Sequence, residues 1–98
     1  MNNNYKIKSK ALEDIATIAD LIREDNEKAS LKFLQDLYDT FDKLANFPNI
    51  GIARKDFTYR DVRFFVVKKH YLIVYNIENE TVCILRVLST YQNICALL

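Results

Sequence analysis

The sequence predicts an α+β domain with the element order β-α-α-β-β-β, in which a helical hairpin packs on one face of a mainly antiparallel sheet. Two observations carry this. Apolar residues recur at helical spacing in two runs before Pro48, and after Gly51 the composition shifts to β-branched and aromatic residues in short runs with tight links. With 98 residues, the expectation is a single domain spanning 1–98, and an apolar content of 50% with six Phe and six Tyr is enough to build its core.

The elements follow in order. Tyr5 and Ile7 alternate with Lys6 and Lys8, the period-two pattern of a short edge strand guarded by lysines. From Ser9 to Asp25, Leu12, Ile15, Ile18 or Ala19, and Ile22 fall on one helical stripe, with Ser9 as the expected N-cap and Glu13 and Asp14 near the first turn. Asp25-Asn26 breaks the pattern. A second run, Phe33 or Leu34, Leu37, Tyr38, Phe41, Leu44 and Ala45, ends at Pro48, and so short a connection makes the helices antiparallel neighbours. Pro48-Asn49-Ile50-Gly51 reads as a turn in which the only glycine takes a positive φ. Strands are expected at about Val62 to Lys69, Tyr71 to Glu78 and Thr81 to Leu88, linked at Lys69-His70 and Asn79-Glu80 as an antiparallel meander. Phe57 to Arg60 is either a further short strand or a lead-in, and Ile94, Ala96, Leu97 and Leu98 suggest a short docking helix.

Each expected strand is apolar on both faces: Phe64 and Val66 against Phe65 and Val67, Ile73 and Tyr75 against Leu72 and Val74. Sheets with one wet face alternate more cleanly than this. The hairpin covers one face, so the other needs a cover. A protein partner is the favoured expectation, with coverage by the C-terminal segment or a homodimer as the alternative.

Fourteen Lys and Arg against thirteen Asp and Glu exclude a polycation or an acidic tail as the source of function. Cys83 and Cys95 fit neither a CxxC pair nor a zinc knuckle and read as reduced core thiols. The N-terminus, MNNNYKIKSK, lacks the apolar stretch of a signal peptide, and no run of 18 apolar residues follows, so the expectation is a soluble cytoplasmic protein with no membrane contact. No Walker loop, GxGxxG, HExxH or GxSxG occurs, and neither a metal nor a small-molecule cofactor is expected.

The candidate chemistry is basic. Arg54, Lys55, Arg60, Arg63, Lys68 and Lys69 crowd one stretch against only Asp56 and Asp61. They either engage phosphates or an acidic groove, with Tyr59 and Tyr71 for stacking, or simply solvate strand ends. Arg86 lies inside ILRVL among apolar neighbours, where a guanidinium must pair with a helix-one carboxylate such as Glu13 or Asp14, or open onto a site. Tyr91 is either an acid or base or a core cap. His70, the only histidine, reads as a turn residue, and the remaining helical carboxylates read as a solvated face.

The segments LANFPNIG, RDVRFFVVKKHYLIVYNI and ILRVLSTYQN, in this order of elements, resemble the RelE/ParE toxins of type II toxin–antitoxin systems. The details are more similar to ParE: Leu-Ala, Pro and Gly closing the hairpin, Arg63 opening a strand, and a tyrosine-rich strand followed by arginine-valine-leucine. RelE-type toxins tend to have an arginine where this chain has Leu72, and the histidine common after RVL in ParE is Ser89 here, followed by Thr90, Tyr91 and Gln92. The resemblance implies a growth-inhibiting toxin held by a cognate antitoxin of ribbon-helix-helix or similar type. ParE members poison DNA gyrase by binding, which here implies contacts from Arg54, Lys55, Arg60, Arg63, Lys68, Lys69 and Arg86 and no catalytic residue. The alternatives implied are a RelE-like ribosome-dependent endoribonuclease cutting mRNA with Lys55, Arg60 and Tyr91, and a decayed toxin that only binds its antitoxin. The antitoxin is expected on the exterior of the two helices and the sheet edge.

Overall fold

The structure is a computed structural model and describes residues 5–98, so the first four positions of the expected domain and the MNNN start lie outside the described residues. Strand β1 (Tyr5–Ile7) is followed by helices α1 (Ser9–Asp25) and α2 (Glu27–Asn46), then by strands β2 (Arg63–Val67), β3 (Tyr71–Glu78) and β4 (Thr81–Ser89), and by a single helical turn, α3 (Ile94–Leu97). The α+β order β-α-α-β-β-β is as expected. The four strands lie in the order β1-β4-β3-β2, with β1 parallel to β4 and the other pairs antiparallel. Thus β1 is an edge strand, as its lysines implied.

Local chemistry explains most boundaries. Asn26 caps α2, its side chain accepting from the Ala29 amide at 3.1 Å, and the helix ends just short of Pro48. Ser9 is not a cap: it is the first helical residue, Lys8 occupies the cap position without a side-chain bond, and Glu13 and Asp14 lie past the first turn. The two helices are tied by the buried Ser30, whose hydroxyl donates to the Ala19 carbonyl at 2.8 Å. The turn after β2 is centred one residue earlier than expected, on Lys68 and Lys69, both left-handed (φ 54° and 67°). Asn79 and Glu80 repeat that geometry (φ 52° and 64°). Left-handed pairs match the twist of paired strands, and this chain builds both turns without glycine, at a cost of about 1 kcal/mol per residue.

The glycine works elsewhere. Gly51 has no positive φ; it is needed because the Tyr75 ring lies against its Cα, and an added Cβ would sit 2.5 Å from the Tyr75 oxygen. Tyr75 is fully buried in the centre of β3, and its hydroxyl donates to the Pro48 carbonyl at 2.7 Å while accepting from the Gly51 amide at 2.9 Å. Burial pushes the Tyr75 hydroxyl above its ordinary pKa, so it keeps the proton it donates. One buried side chain therefore fixes the turn that returns the chain from the helices to the sheet.

Both sheet faces carry a core. On the helix side Ala11, Ile15, Phe33, Leu37, Phe41 and Leu44 pack on Ile73, Tyr75, Val82, Ile84 and Val87. On the other side Phe64, Leu72, Val74 and Leu88 are covered by Phe57 and Val62 from the segment before β2 and by Ile94, Leu97 and Leu98 from the C-terminus. The expectation that this face awaits a partner is therefore corrected: the chain covers all of it but Val66 with its own loop and α3. Phe57 to Arg60 is not a strand but part of that covering loop, whose one ladder contact is the Ile52–Phe64 bridge. Cys83 is buried as expected, whereas Cys95 is exposed; neither is in a disulfide.

Two outcomes follow. Tyr75→Phe strands the Gly51 amide and the Pro48 carbonyl, and should lower unfolding free energy by about 1–3 kcal/mol in urea titrations. In the native protein a thiol reagent should label Cys95 rapidly and Cys83 only on unfolding, because burial both hides the Cys83 thiol and raises its pKa.

Candidate functional site

The basic residues divide into those the fold uses and those it leaves free. Arg54 grips Asp56 through two bonds, Nε to Oδ1 at 2.9 Å and Nη2 to Oδ2 at 2.6 Å, and lies 4.2 Å over the Phe57 ring. Phe57 in turn meets Phe64 edge-on at 5.5 Å, so Arg54 clamps the covering loop to the sheet. Arg63 donates through Nη1 to the Gly51 carbonyl at 2.7 Å and to the Asn49 carbonyl at 3.4 Å, closing the same turn that Tyr75 holds from beneath. Lys55 and Arg60 are exposed on the loop, beside Tyr59, which is 87% exposed. Tyr71 does not join them for stacking, since it packs on Phe33 at 4.8 Å.

Lys68 and Lys69 stand at the turn between β2 and β3, exposed. Thr90 ties this turn to the end of β4, its amide donating to the His70 carbonyl at 2.9 Å and its hydroxyl to the Lys69 carbonyl at 3.1 Å. Tyr91, 82% exposed, is brought against His70: the rings stack at 6.1 Å and the hydroxyl lies 3.4 Å from Nδ1. Nothing in the spacing of His70 and Tyr91 in the sequence shows that Thr90 draws them together. No hydrogen bond among the described residues links Tyr91 to Lys55 or Arg60.

Arg86 occupies a different environment. A β-bulge shifts the β3–β4 register between Val74, opposite Arg86, and Tyr75, opposite Ile84, and leaves Leu85 without a partner. Arg86 then reaches both layers. Its Nε and Nη2 donate to the two oxygens of Asp14 on α1 at 2.7 and 3.0 Å, and Nη1 donates to the Leu97 carbonyl in α3 at 3.0 Å. Asp14 Oδ2 also accepts from the Val87 amide at 3.0 Å, taking the place of a neighbouring strand where β1 has ended. The pair is mostly buried, 18% and 15% exposed, and Asp14 holds the Arg86 guanidinium above its ordinary pKa. Of the two carboxylates the sequence offered, the structure selects Asp14.

Most of the exposed apolar side chains lie away from the second sheet face, where Val66 of β2, paired with Leu72, is the one left half in water. Leu12 and Leu21 on α1 and Leu31 and Tyr38 on α2 are on helix exteriors. Phe47, Ile50 and Ile52 follow the hairpin, and Asn46 to Ile50 line an open apolar groove of about 380 Å³. Among the described residues no three His, Cys, Asp or Glu side chains gather as a metal site, and no helix is long and apolar enough to cross a membrane.

Compared with known families, residues 5–94 match a family described as the ParE toxin of the type II toxin–antitoxin system, parDE. No curated protein matches the chain.

Breaking the Asp14–Arg86 pair from one side leaves a buried charge uncompensated, at a cost of about 3 kcal/mol or more. Asp14→Asn should lower stability by that order in denaturant titrations and speed amide exchange in α3. An unchanged midpoint would show that the pair carries no net stabilisation.

Proposed function

The chain belongs to the ParE toxin family of type II toxin–antitoxin systems, and from that premise we propose that it arrests growth by binding DNA gyrase, without covalent chemistry of its own, and is neutralised by a cognate antitoxin. The observation that carries this is the family match over nearly the whole chain, with the LANFPNIG turn held by Tyr75 and Arg63 as one rigid unit. For the target we assign contact roles to Lys55, Arg60, Lys68 and Lys69, the exposed cations whose charge the fold does not consume. Arg54, Arg63 and Arg86 serve that surface by positioning it, through Asp56, the turn carbonyls and Asp14.

For the antitoxin, the exterior of α1 and α2 is the better surface. Leu12, Leu21, Leu31 and Tyr38 stand exposed there, whereas the second sheet face is covered except at Val66. An extended or helical tail laid on these side chains buries apolar area that the free toxin leaves in water.

The ribonuclease reading has weaker support. It needs Lys55, Arg60 and Tyr91 to act together on one phosphodiester, and Tyr91 is stacked on His70 instead. The decayed-toxin reading is separated by growth alone.

Inducible expression of the chain should stop growth, and co-expression of the polypeptide encoded beside it should restore growth. Purified protein should inhibit gyrase supercoiling. Lys55→Ala with Arg60→Ala should raise the inhibitory concentration about tenfold or more while leaving stability unchanged, as expected for exposed interface charges. Supercoiling unaffected at saturating toxin would refute the gyrase assignment. Loss of transcript cleavage in Tyr91→Phe would establish the ribonuclease in its place. Normal growth on induction would leave only antitoxin binding.

A further inference from the structure

The sheet contains a notch. β2 ends at Arg63, opposite Tyr75, but β3 continues to Glu78 alongside β4. Ladder parity fixes the direction of the β3 backbone beyond that point. Phe64 exchanges both of its bonds with Ile52 outside the sheet, so Arg63 is the β2 residue that bonds to β3, through Tyr75, and the next β3 residue turned the same way is Ile77. The two-residue turn at Asn79-Glu80 gives the same answer from the other side, with Glu78 and Asn76 turned toward β4. Ile77 therefore presents its N–H and C=O where β2 no longer runs. Instead the chain bends away before β2, with the Val62 amide bonded to the Arg60 carbonyl.

The notch is walled by polar groups. Asp61, Arg63, Asn76 and Ile77 line a cavity of about 170 Å³. Asn76 Nδ2 donates to Glu78 Oε2 at 3.3 Å, which sets the amide orientation, since the reverse would place oxygen against oxygen. Asn76 Oδ1 is then buried with no donor. Arg63 is anchored through Nη1 and has further N–H groups to give.

We propose that this notch is a strand-addition site, in which an extended polypeptide segment pairs with the Ile77 backbone in line with β2 and inserts a carboxamide side chain, Gln or Asn, against Asn76 and Arg63. A carboxamide supplies both missing partners: its NH₂ donates to Asn76 Oδ1 and its oxygen accepts from Arg63. A carboxylate would leave Asn76 without a donor and would face Asp61. An ammonium would face Arg63. An unpaired backbone rung beside an unsatisfied buried acceptor is what such a segment relieves. The segment belongs to the antitoxin, so this inference rests on the antitoxin reading above and adds to it a second contact, remote from the helix exteriors.

The test uses the full chain and the polypeptide encoded beside it. In the complex, amide exchange at Ile77 should slow at least tenfold relative to the free toxin. Asn76→Leu, which removes an unsatisfied group, should leave the free toxin at least as stable and weaken the complex about tenfold. If the polypeptide binds while Ile77 exchanges as in the free protein, strand addition is wrong and the antitoxin reading stands. If Ile77 is protected but Asn76→Leu binds as tightly as the parent, the carboxamide is wrong. If the polypeptide does not bind at all, the antitoxin reading fails and this inference fails with it.

Discussion

The Asp14–Arg86 pair is the contact on which the layered body depends. In a four-stranded sheet with cores on both faces, a bonded link that crosses from one face to the other fixes the layers in a way that apolar packing, which is non-directional, does not. Arg86 supplies it from the edge of β4, with Asp14 of α1 on one side and the Leu97 carbonyl of α3 on the other. The β-bulge at Leu85 is what makes the reach possible, because it interrupts the alternation and still returns Val87 to the helix face and Leu88 to the other. The same carboxylate takes the Val87 amide, so the strand edge that β1 is too short to pair is not left open. A helix of four residues has little stability of its own, and α3 is held over the second face by this bond and by Ile94, Leu97 and Leu98.

The second fixed point is Tyr75. A phenol in the middle of β3 is large enough to pass from the sheet to the loop above it, and its two hydrogen bonds determine where Pro48 and Gly51 lie. Arg63 then satisfies the carbonyls facing the other way. The result is a loop whose Pro48, Asn49 and Gly51 carbonyls and Ile50 and Gly51 amides are all bonded, although its apolar side chains, Phe47, Ile50 and Ile52, are exposed. A surface whose backbone is bonded in this way has less ordering entropy to lose when a partner covers it.

Periodicity made the helices, the meander and the edge position of β1 legible, because a buried face imposes its period on the sequence. Asn26 and Pro48 marked the limits of α2 by their own chemistry. What was not legible depended on contacts distant in sequence. Gly51 reads as a turn glycine with a positive φ, but its reason is a ring twenty-four positions away. The apolar second face reads as a partner surface because the sequence does not show that Phe57, Val62 and the last five residues fold back over it. The pairing of Arg86 with a helix-one carboxylate was foreseen from the cost of burying a lone guanidinium, while the bulge that aims it was not. His70 with Tyr91, and the notch beside Asn76, carry no local signal at all.

This division bears on how the basic residues can be interpreted. Seven cations are candidates for contact with a target, and as sequence only Arg86 stands apart, by its apolar neighbours. The structure separates them by what each would leave behind if removed. Without Arg54, Asp56 and Phe57 lose the clamp that holds the covering loop; without Arg63, two turn carbonyls lose their donor; without Arg86, Asp14 is buried with a charge and no counter-ion. Loss of toxicity on substituting any of these three would report on the shape of the surface rather than on contact with the target. Lys55, Arg60, Lys68 and Lys69 are exposed, so only at these four does a change in potency measure recognition directly.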